Sequence, residues 1–166
     1  MSSSPDHFDR VATSLGHLVI AFNELEVALG GALMHLLKRD EEVGAAFVAH
    51  LTASQKIRLL QELEGKIDHE TTRQDLHDIV CRINEVNSQR NHLIHSEYWS
   101  VSATEHLNVL LHRRLRDSTK PVKFPVTLEE LSKNYVQEAD PEEIMDLAND
   151  AAELSISLIQ LSENLY

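Results

Sequence analysis

Residues 76–95 read LHDIVCRINEVNSQRNHLIH, and the spacing of their apolar members decides the fold. Leu76, Ile79, Ile83, Val86, Arg90 and Leu93 recur at alternating three- and four-residue steps. Side chains so spaced share one face of an α-helix, and all but one are apolar, as a helix facing a bundle core requires. The exception is Arg90, whose guanidinium stays charged in any protein environment. Burying that charge is costly unless a partner or a ligand meets it.

A second stripe runs beside this seam: Asn84, Asn87, Asn91 and His95. Steps of three, four and four residues put these amides and the imidazole along one edge of the helix. Taken together, Arg90 and the stripe predict a polar cleft. The plainer alternative is an arginine that snorkels to water beside solvated asparagines.

Working toward the N-terminus, Ser4 and Pro5 suit a helix start. The pattern Phe8, Val11, Leu15, Leu18, Phe22, Leu25, Leu29, Ala32, Leu36 then predicts one long helix. A second face of that helix reads Val19, Asn23, Glu26, Gly30, Leu33, Leu37. Glu26 is expected to face the arginine helix and to neutralise or orient Arg90, since a buried guanidinium favours a bidentate carboxylate. Asp40 suits the cap of a short helix over 41–50. Thr52 with Gln55 forms a capping box ahead of Ile57, Leu60, Leu63 and Ile67, and Thr71 or Thr72 is expected to cap the arginine helix.

Beyond His95 the periodicity changes. Residues 98–102 and 107–114 look extended, Asp117-Ser118-Thr119-Lys120 looks like a turn, and Val122, Phe124 and Val126 alternate between prolines, which limits any strand there to an edge. His112, Arg113, Arg114, Arg116, Lys120 and Lys123 form the only basic concentration. It reads as charged protection of a hairpin edge or as a local landing surface for an anion. Thr127 with Glu130 predicts a short helix to Val136. Asp140-Pro141-Glu142-Glu143 is a strong helix start, and Ile144, Leu147, Ala151, Leu154, Leu158, Leu161 and Leu165 form the final seam. The expected fold is all-α: one domain over 1–166, an antiparallel helical bundle with a small β-hairpin or extended insertion before the last helices.

Composition narrows the function. With 166 residues the chain can bury a core without staples. One cysteine, Cys81, allows neither an internal disulfide nor a Cys-based metal framework, and it reads as a small buried hydrophobe. The ten histidines are scattered, so no metal site is expected, and no Gly-rich phosphate loop or other cofactor motif is present. A net charge of −12 argues against a broad nucleic-acid grip but leaves room for a local cationic site. No signal peptide and no apolar stretch of membrane-spanning length are expected, which makes the cytoplasm the default compartment.

Arg90, Asn91 and His95 fit acid–base chemistry on a phosphate. An imidazole exchanges protons near neutral pH, and a guanidinium holds two phosphate oxygens while charge builds at phosphorus. RNA supplies its own nucleophile, the 2′-hydroxyl, so such a site needs no metal. One helix separates Arg90 from His95 by about 140°, so both meet one atom only if the helix end unwinds or a two-fold dimer joins two copies.

Arg90-Asn91-x3-His95 near a helix end resembles the Arg-x4–6-His signature of the HEPN superfamily. The wider layout is also similar: a long first helix with Phe22-Asn23-Glu24-Leu25-Glu26, then Ser96 to Trp99 after the histidine, and an extended excursion before the last helix. The resemblance implies a dimeric all-α bundle whose two motifs share a cleft. It implies a metal-independent endoribonuclease, of the kind found in toxin–antitoxin or phage-defence settings, acting on RNA. Arg90 and His95 would be catalytic and Asn91 supportive. Asn87 of the polar stripe, Glu26 as acidic partner and Tyr98 would support them. One toxin branch carries a tyrosine two residues after the histidine, which an antitoxin nucleotidyltransferase modifies. Here that position is Glu97 and the tyrosine is Tyr98, a departure from that branch. Other members are non-catalytic modules for dimerisation or for binding nucleotides or proteins, which is the alternative reading.

Overall fold

The computed structural model describes the backbone of residues 7–37, 41–104, 107–114 and 137–163. Helices α1 (His7–Leu37), α2 (Glu41–Ala49), α3 (Ala53–Leu63) and α4 (Glu70–Ile94) precede strands β1 (Ser96–Thr104), β2 (Leu107–Arg114) and β3 (Gln137–Glu138), and α5 (Pro141–Ser162) follows. The described residues are mostly helical. The expected caps at Ser4-Pro5 and Asp40, the turn at 117–120, the alternation over 122–126 and the helix from Thr127 to Val136 lie outside the described residues.

Local chemistry explains the helix starts. Thr52 and Gln55 close the capping box: Gln55 N donates to Thr52 Oγ1 at 3.3 Å and Thr52 N donates to Gln55 Oε1 at 2.8 Å. Asp140 Oδ1 accepts from Glu142 N at 2.8 Å, with Pro141 in the first helical turn. Helix α3 gives way at Leu63 to a 3₁₀ turn over Glu64–Lys66 before reaching Ile67. Helix α4 starts at Glu70, with His69 rather than Thr71 or Thr72 at the cap position and no side-chain capping bond. An Arg73–Glu70 contact ties its first turn instead.

The four longer helices α1, α3, α4 and α5 form a bundle. Helices α1 and α4 each pack against both α3 and α5 and therefore stand on its diagonal. Phe22, Leu18, Leu25 and Leu29 of α1 meet Ile57 and Leu60 of α3, Leu76 and Ile83 of α4, and Leu154 and Leu158 of α5 in one core. Each such side chain contributes about 1.5–3 kcal/mol by leaving water.

Helix directions correct the antiparallel expectation. Helices α3 and α4 do run antiparallel, since Ser54 meets Asn87 and Glu64 meets His77. Helices α1 and α5 run parallel. Ser14 Oγ donates to Pro141 O at 2.8 Å, and Arg10 pairs with Glu142, so α5 begins only about two turns into α1 and packs along it by running the same way. The long connection between α4 and α5 makes this possible. It also explains why Phe8, placed on the seam by its spacing, is 52% exposed: α5 does not reach that far back.

Helix α1 is long and apolar enough to cross a membrane by length and composition, contrary to the expectation that no stretch is, but 44% of its most apolar window is buried inside the bundle. Strands β1 and β2 pair antiparallel, with Ser96 opposite Arg114, Glu97 opposite Arg113 and Tyr98 opposite His112. Strand β3 adds to β2 through Leu111 and Glu138. Strand β2 lies against α1, so the sheet sits at the end of α4 where the motif lies.

Candidate functional site

The last turn of α4 is built by side chains that follow it. A helix end leaves its final carbonyls without intrahelical partners. Here Ser96 Oγ donates to His92 O at 2.5 Å and the Tyr98 hydroxyl donates to Leu93 O at 2.8 Å. His95 N still donates to Asn91 O at 3.2 Å, but the backbone of His95 has left helical geometry, at φ −99° and ψ 15°. The first residues of β1 thus pin the strand to the helix end. Burial pushes the Tyr98 phenol up to about 12, which keeps it a neutral donor over the ordinary pH range.

Arg90 is half-buried and points inward. Its guanidinium lies over the Phe22 ring, 4.9 Å from the centroid. Nη1 donates to Asn91 Oδ1 at 3.0 Å, Asn91 Nδ2 donates to Asn87 Oδ1 at 3.2 Å, and Asn87 Nδ2 donates to Ser54 Oγ at 3.1 Å. Two of the three asparagines in the polar stripe therefore form a relay that fixes the guanidinium plane and anchors it on α3. Asn84 is exposed and outside the relay. The Nε atom of Arg90 is buried and has no hydrogen-bond partner, and among the described residues Arg90 makes no ion pair. An unmatched guanidinium donor away from water is costly to the fold.

Glu26 does not serve Arg90. Its Oε1 accepts from Lys56 Nζ at 3.1 Å, and its own carbonyl accepts from the same ammonium at 3.4 Å. Helix α3 lies between α1 and α4 around the bundle, so a residue on α3 intercepts the carboxylate. Phe22, one turn earlier, is what reaches Arg90. Lys56 is 7% exposed, and its place directly before the core residue Ile57 was the sequence signal for a buried ammonium.

His95 is exposed, and its side chain makes no hydrogen bond among the described residues. The structure thus brings Arg90, Asn91 and Asn87 together, caps the helix with Tyr98, separates Glu26, and leaves His95 on the rim. The strand register sets the backbones of Arg113 and Arg114 alongside the residues that follow His95.

One row of polar groups was not anticipated. His77 Nδ1 lies 3.1 Å from Glu64 Oε2, and Cys81 Sγ lies 3.7 Å from His77 Nε2. Cys81 is thus partly exposed beside an imidazole rather than simply a buried hydrophobe, and the four-residue spacing of His77 and Cys81 was the legible signal. Thiol and carboxylate flank opposite ring nitrogens and do not converge on one point. Among the described residues no group of three His, Cys, Asp or Glu side chains is placed to hold a metal ion. A groove of about 440 Å³ between α1 and α2 is lined by Glu26 and Lys56 but by none of Arg90, Asn91 and His95, and another of about 310 Å³ between the starts of α1 and α5 contains none of these residues.

No family model, curated protein or solved structure matches the chain.

Proposed function

We propose that the chain is a metal-independent endoribonuclease of HEPN type that acts as a homodimer on RNA, in a cytoplasmic toxin or defence setting. The observation that carries this reading is the state of Arg90. Its guanidinium is aimed by Asn91, supported by Phe22 and matched by no carboxylate among the described residues, five residues before an exposed histidine. A cation fixed in place without an anion is suited to receive one, and a phosphodiester is an anion that a guanidinium holds by two oxygens.

The chemistry follows from that placement. The 2′-oxygen of one ribose attacks its own 3′-phosphorus, the bond from phosphorus to the 5′-oxygen breaks, and the products end in a 2′,3′-cyclic phosphate and a 5′-hydroxyl. One proton leaves the 2′-hydroxyl and one is given to the 5′-oxygen, so the step needs a base and an acid. In a two-fold pair, the His95 imidazoles of the two copies fill these roles. Arg90 stabilises the charge that grows on the non-bridging oxygens. The contact with RNA is local, which is compatible with a net charge of −12.

An RNA carrying a single 2′-deoxynucleotide 5′ to the cleaved bond tests this chemistry. Cleavage at that bond is expected to stop while neighbouring bonds are still cut. Continued cleavage there contradicts attack by the 2′-hydroxyl.

A second reading has its own support. The relay from Arg90 to Ser54 and the contact with Phe22 lie within one chain, which is what a structural polar network in a non-catalytic dimerisation or ligand-binding module requires. That reading expects Arg90 to matter for stability and His95 to matter for nothing measurable in RNA cleavage.

A further inference from the structure

Helix α4 carries a second row of reactive side chains on the side that meets the 3₁₀ turn after α3. Glu64 Oε2 lies 3.1 Å from His77 Nδ1, and His77 Nε2 lies 3.7 Å from Cys81 Sγ, within reach of a hydrogen bond to sulfur. An ionised carboxylate only accepts, so the ring hydrogen sits on Nδ1 and the lone pair of Nε2 faces the thiol. The thiol then donates to Nε2. Carboxylate, imidazole and thiol thus stand in the order in which a base is oriented and a nucleophile gives up its proton. Two local facts build the row. His77 and Cys81 are four residues apart on one helix, and the turn over Glu64–Lys66 brings Glu64 back against that helix.

The row is reachable, and the core does not depend on it. The side chain of His77 is 49% exposed, that of Glu64 is 27% exposed, and Cys81 is partly exposed, whereas its neighbour Val80 belongs to the core. An ion pair and a thiol contact open to water add little to stability. A cysteine kept for packing is buried and inert. The row is also separate from the Arg90 motif. Cys81 precedes Arg90 by nine residues, about 14 Å along the helix. Glu64 follows the end of α3, whereas Ser54, which holds Asn87, lies at its start.

We propose that Cys81 is a site of thiol–disulfide exchange, with His77 as its base and Glu64 as a positioning residue, and that its reactant is a small neutral or cationic disulfide. As Sγ attacks one sulfur of that disulfide, the thiol proton passes to His77 Nε2. The new Sγ–S bond forms, the old S–S bond breaks, and the departing sulfur keeps the bonding electron pair and takes the proton back from the imidazolium. One thiol and one disulfide become one mixed disulfide and one thiol. Cys81 is the only cysteine in the chain, so no second thiol of the same chain resolves the mixed disulfide. It lasts until an outside thiol attacks it, which makes the step a reversible modification and not a dithiol redox cycle. The charge of the reactant follows from the surroundings. Asp78 and Glu85 lie three residues before and four after Cys81 on the same side of α4, and Glu64 joins them against one cation of the facing turn, Lys66. A dianionic disulfide is repelled there, all the more by a chain of net charge −12.

The proposal does not rest on the nuclease reading. Its test is the rate at which the folded full chain releases thione from dithiodipyridine, a neutral disulfide, followed by absorbance and set against the same chain unfolded in urea. Folded wild type is expected to react about tenfold faster than the unfolded chain, or more, and to gain one adduct per chain by mass, which an added thiol removes. His77→Gln keeps a polar side chain that takes no proton, and it is expected to react no faster folded than unfolded. Glu64→Ala is expected to fall between the two. In a His77→Gln background it is expected to change nothing, a result that loss of structure at the turn would not produce. Circular dichroism confirms the fold of each variant, and the comparison of folded with unfolded wild type stands without any of them. With an aromatic disulfide that carries two carboxylates, the ratio of folded to unfolded rates is expected to be smaller. A folded wild type no faster than the unfolded chain, a His77→Gln variant as fast as wild type, or a larger ratio for the dicarboxylate disulfide overturns the proposal.

Discussion

The guanidinium of Arg90 lies over the ring of Phe22, 4.9 Å from its centroid, and so joins the motif helix to α1 across the diagonal of the bundle. Phe22 is 1% exposed, which means the cation rests on the core itself. A ring face attracts a cation by about 0.5–2 kcal/mol, and the flat contact also limits which way the guanidinium turns.

Phe22→Leu separates these two contributions. The apolar volume is largely kept, so stability in urea should fall by about 1 kcal/mol. Loss of the ring under the cation should lower RNA cleavage by about tenfold, since 1.4 kcal/mol is a factor of ten. A variant with the same stability loss and unchanged cleavage would detach Phe22 from the site.

The relay makes Asn87 the most costly polar residue of the motif to remove. It is 6% exposed and bonds both Asn91 and Ser54. Asn87→Ala leaves both partners without their bond and should cost about 1–3 kcal/mol in urea unfolding. His95→Ala, at an exposed position, should stay within about 0.5 kcal/mol of wild type. Equal stability losses at the two positions would contradict the inward and outward placement of the two residues.

Glu26 pairs with Lys56, so its removal is a matter of stability rather than catalysis. The Lys56 side chain is 9% exposed and that of Glu26 is 33% exposed. Glu26→Gln should cost about 2 kcal/mol, less than for a wholly buried pair because water still reaches the carboxylate side. Cleavage per folded molecule should not change. A selective loss of activity with stability intact would return Glu26 to Arg90.

Tyr98 ties pH to the end of α4. Burial holds its phenol at about 12 against an ordinary value of 10. The folded value is raised, so the neutral form that caps Leu93 contributes its full stability below pH 10, and that contribution is lost as pH rises toward 12. Wild type should therefore lose stability between pH 10 and 12 more steeply than Tyr98→Phe. An ultraviolet titration of the folded protein should show one of its three tyrosines ionising late. Identical pH profiles for the two proteins would mean that the phenol is free.

Much of the bundle was legible because its physics is local. The three-four spacing of Val11, Leu18, Phe22, Leu25 and Leu29 and of Leu76, Ile83 and Val86 marks core faces whatever the partner, and all are buried. Thr52 with Gln55 and Asp140 with Pro141 mark helix starts through bonds made within three residues. Direction and pairing were not legible. Nothing near Pro141 in the sequence says that its carbonyl meets Ser14, which is why α5 runs parallel to α1 against expectation. The same limit misassigned Glu26: spacing placed it on an inner face, but only the position of α3 decides that Lys56 reaches it first. Asn87 and Asn91 were recognisable as a set because a helix itself brings residues four apart together.

The most direct measurement is cleavage of a mixed RNA by the purified full chain in excess chelator, wild type beside His95→Ala, with the product ends identified. The account predicts 2′,3′-cyclic phosphate ends from wild type and no cleavage above background from His95→Ala at equal folded concentration. Cleavage by both proteins alike, or by neither with the wild type shown to be a folded dimer, contradicts the assignment of His95 to a ribonuclease site.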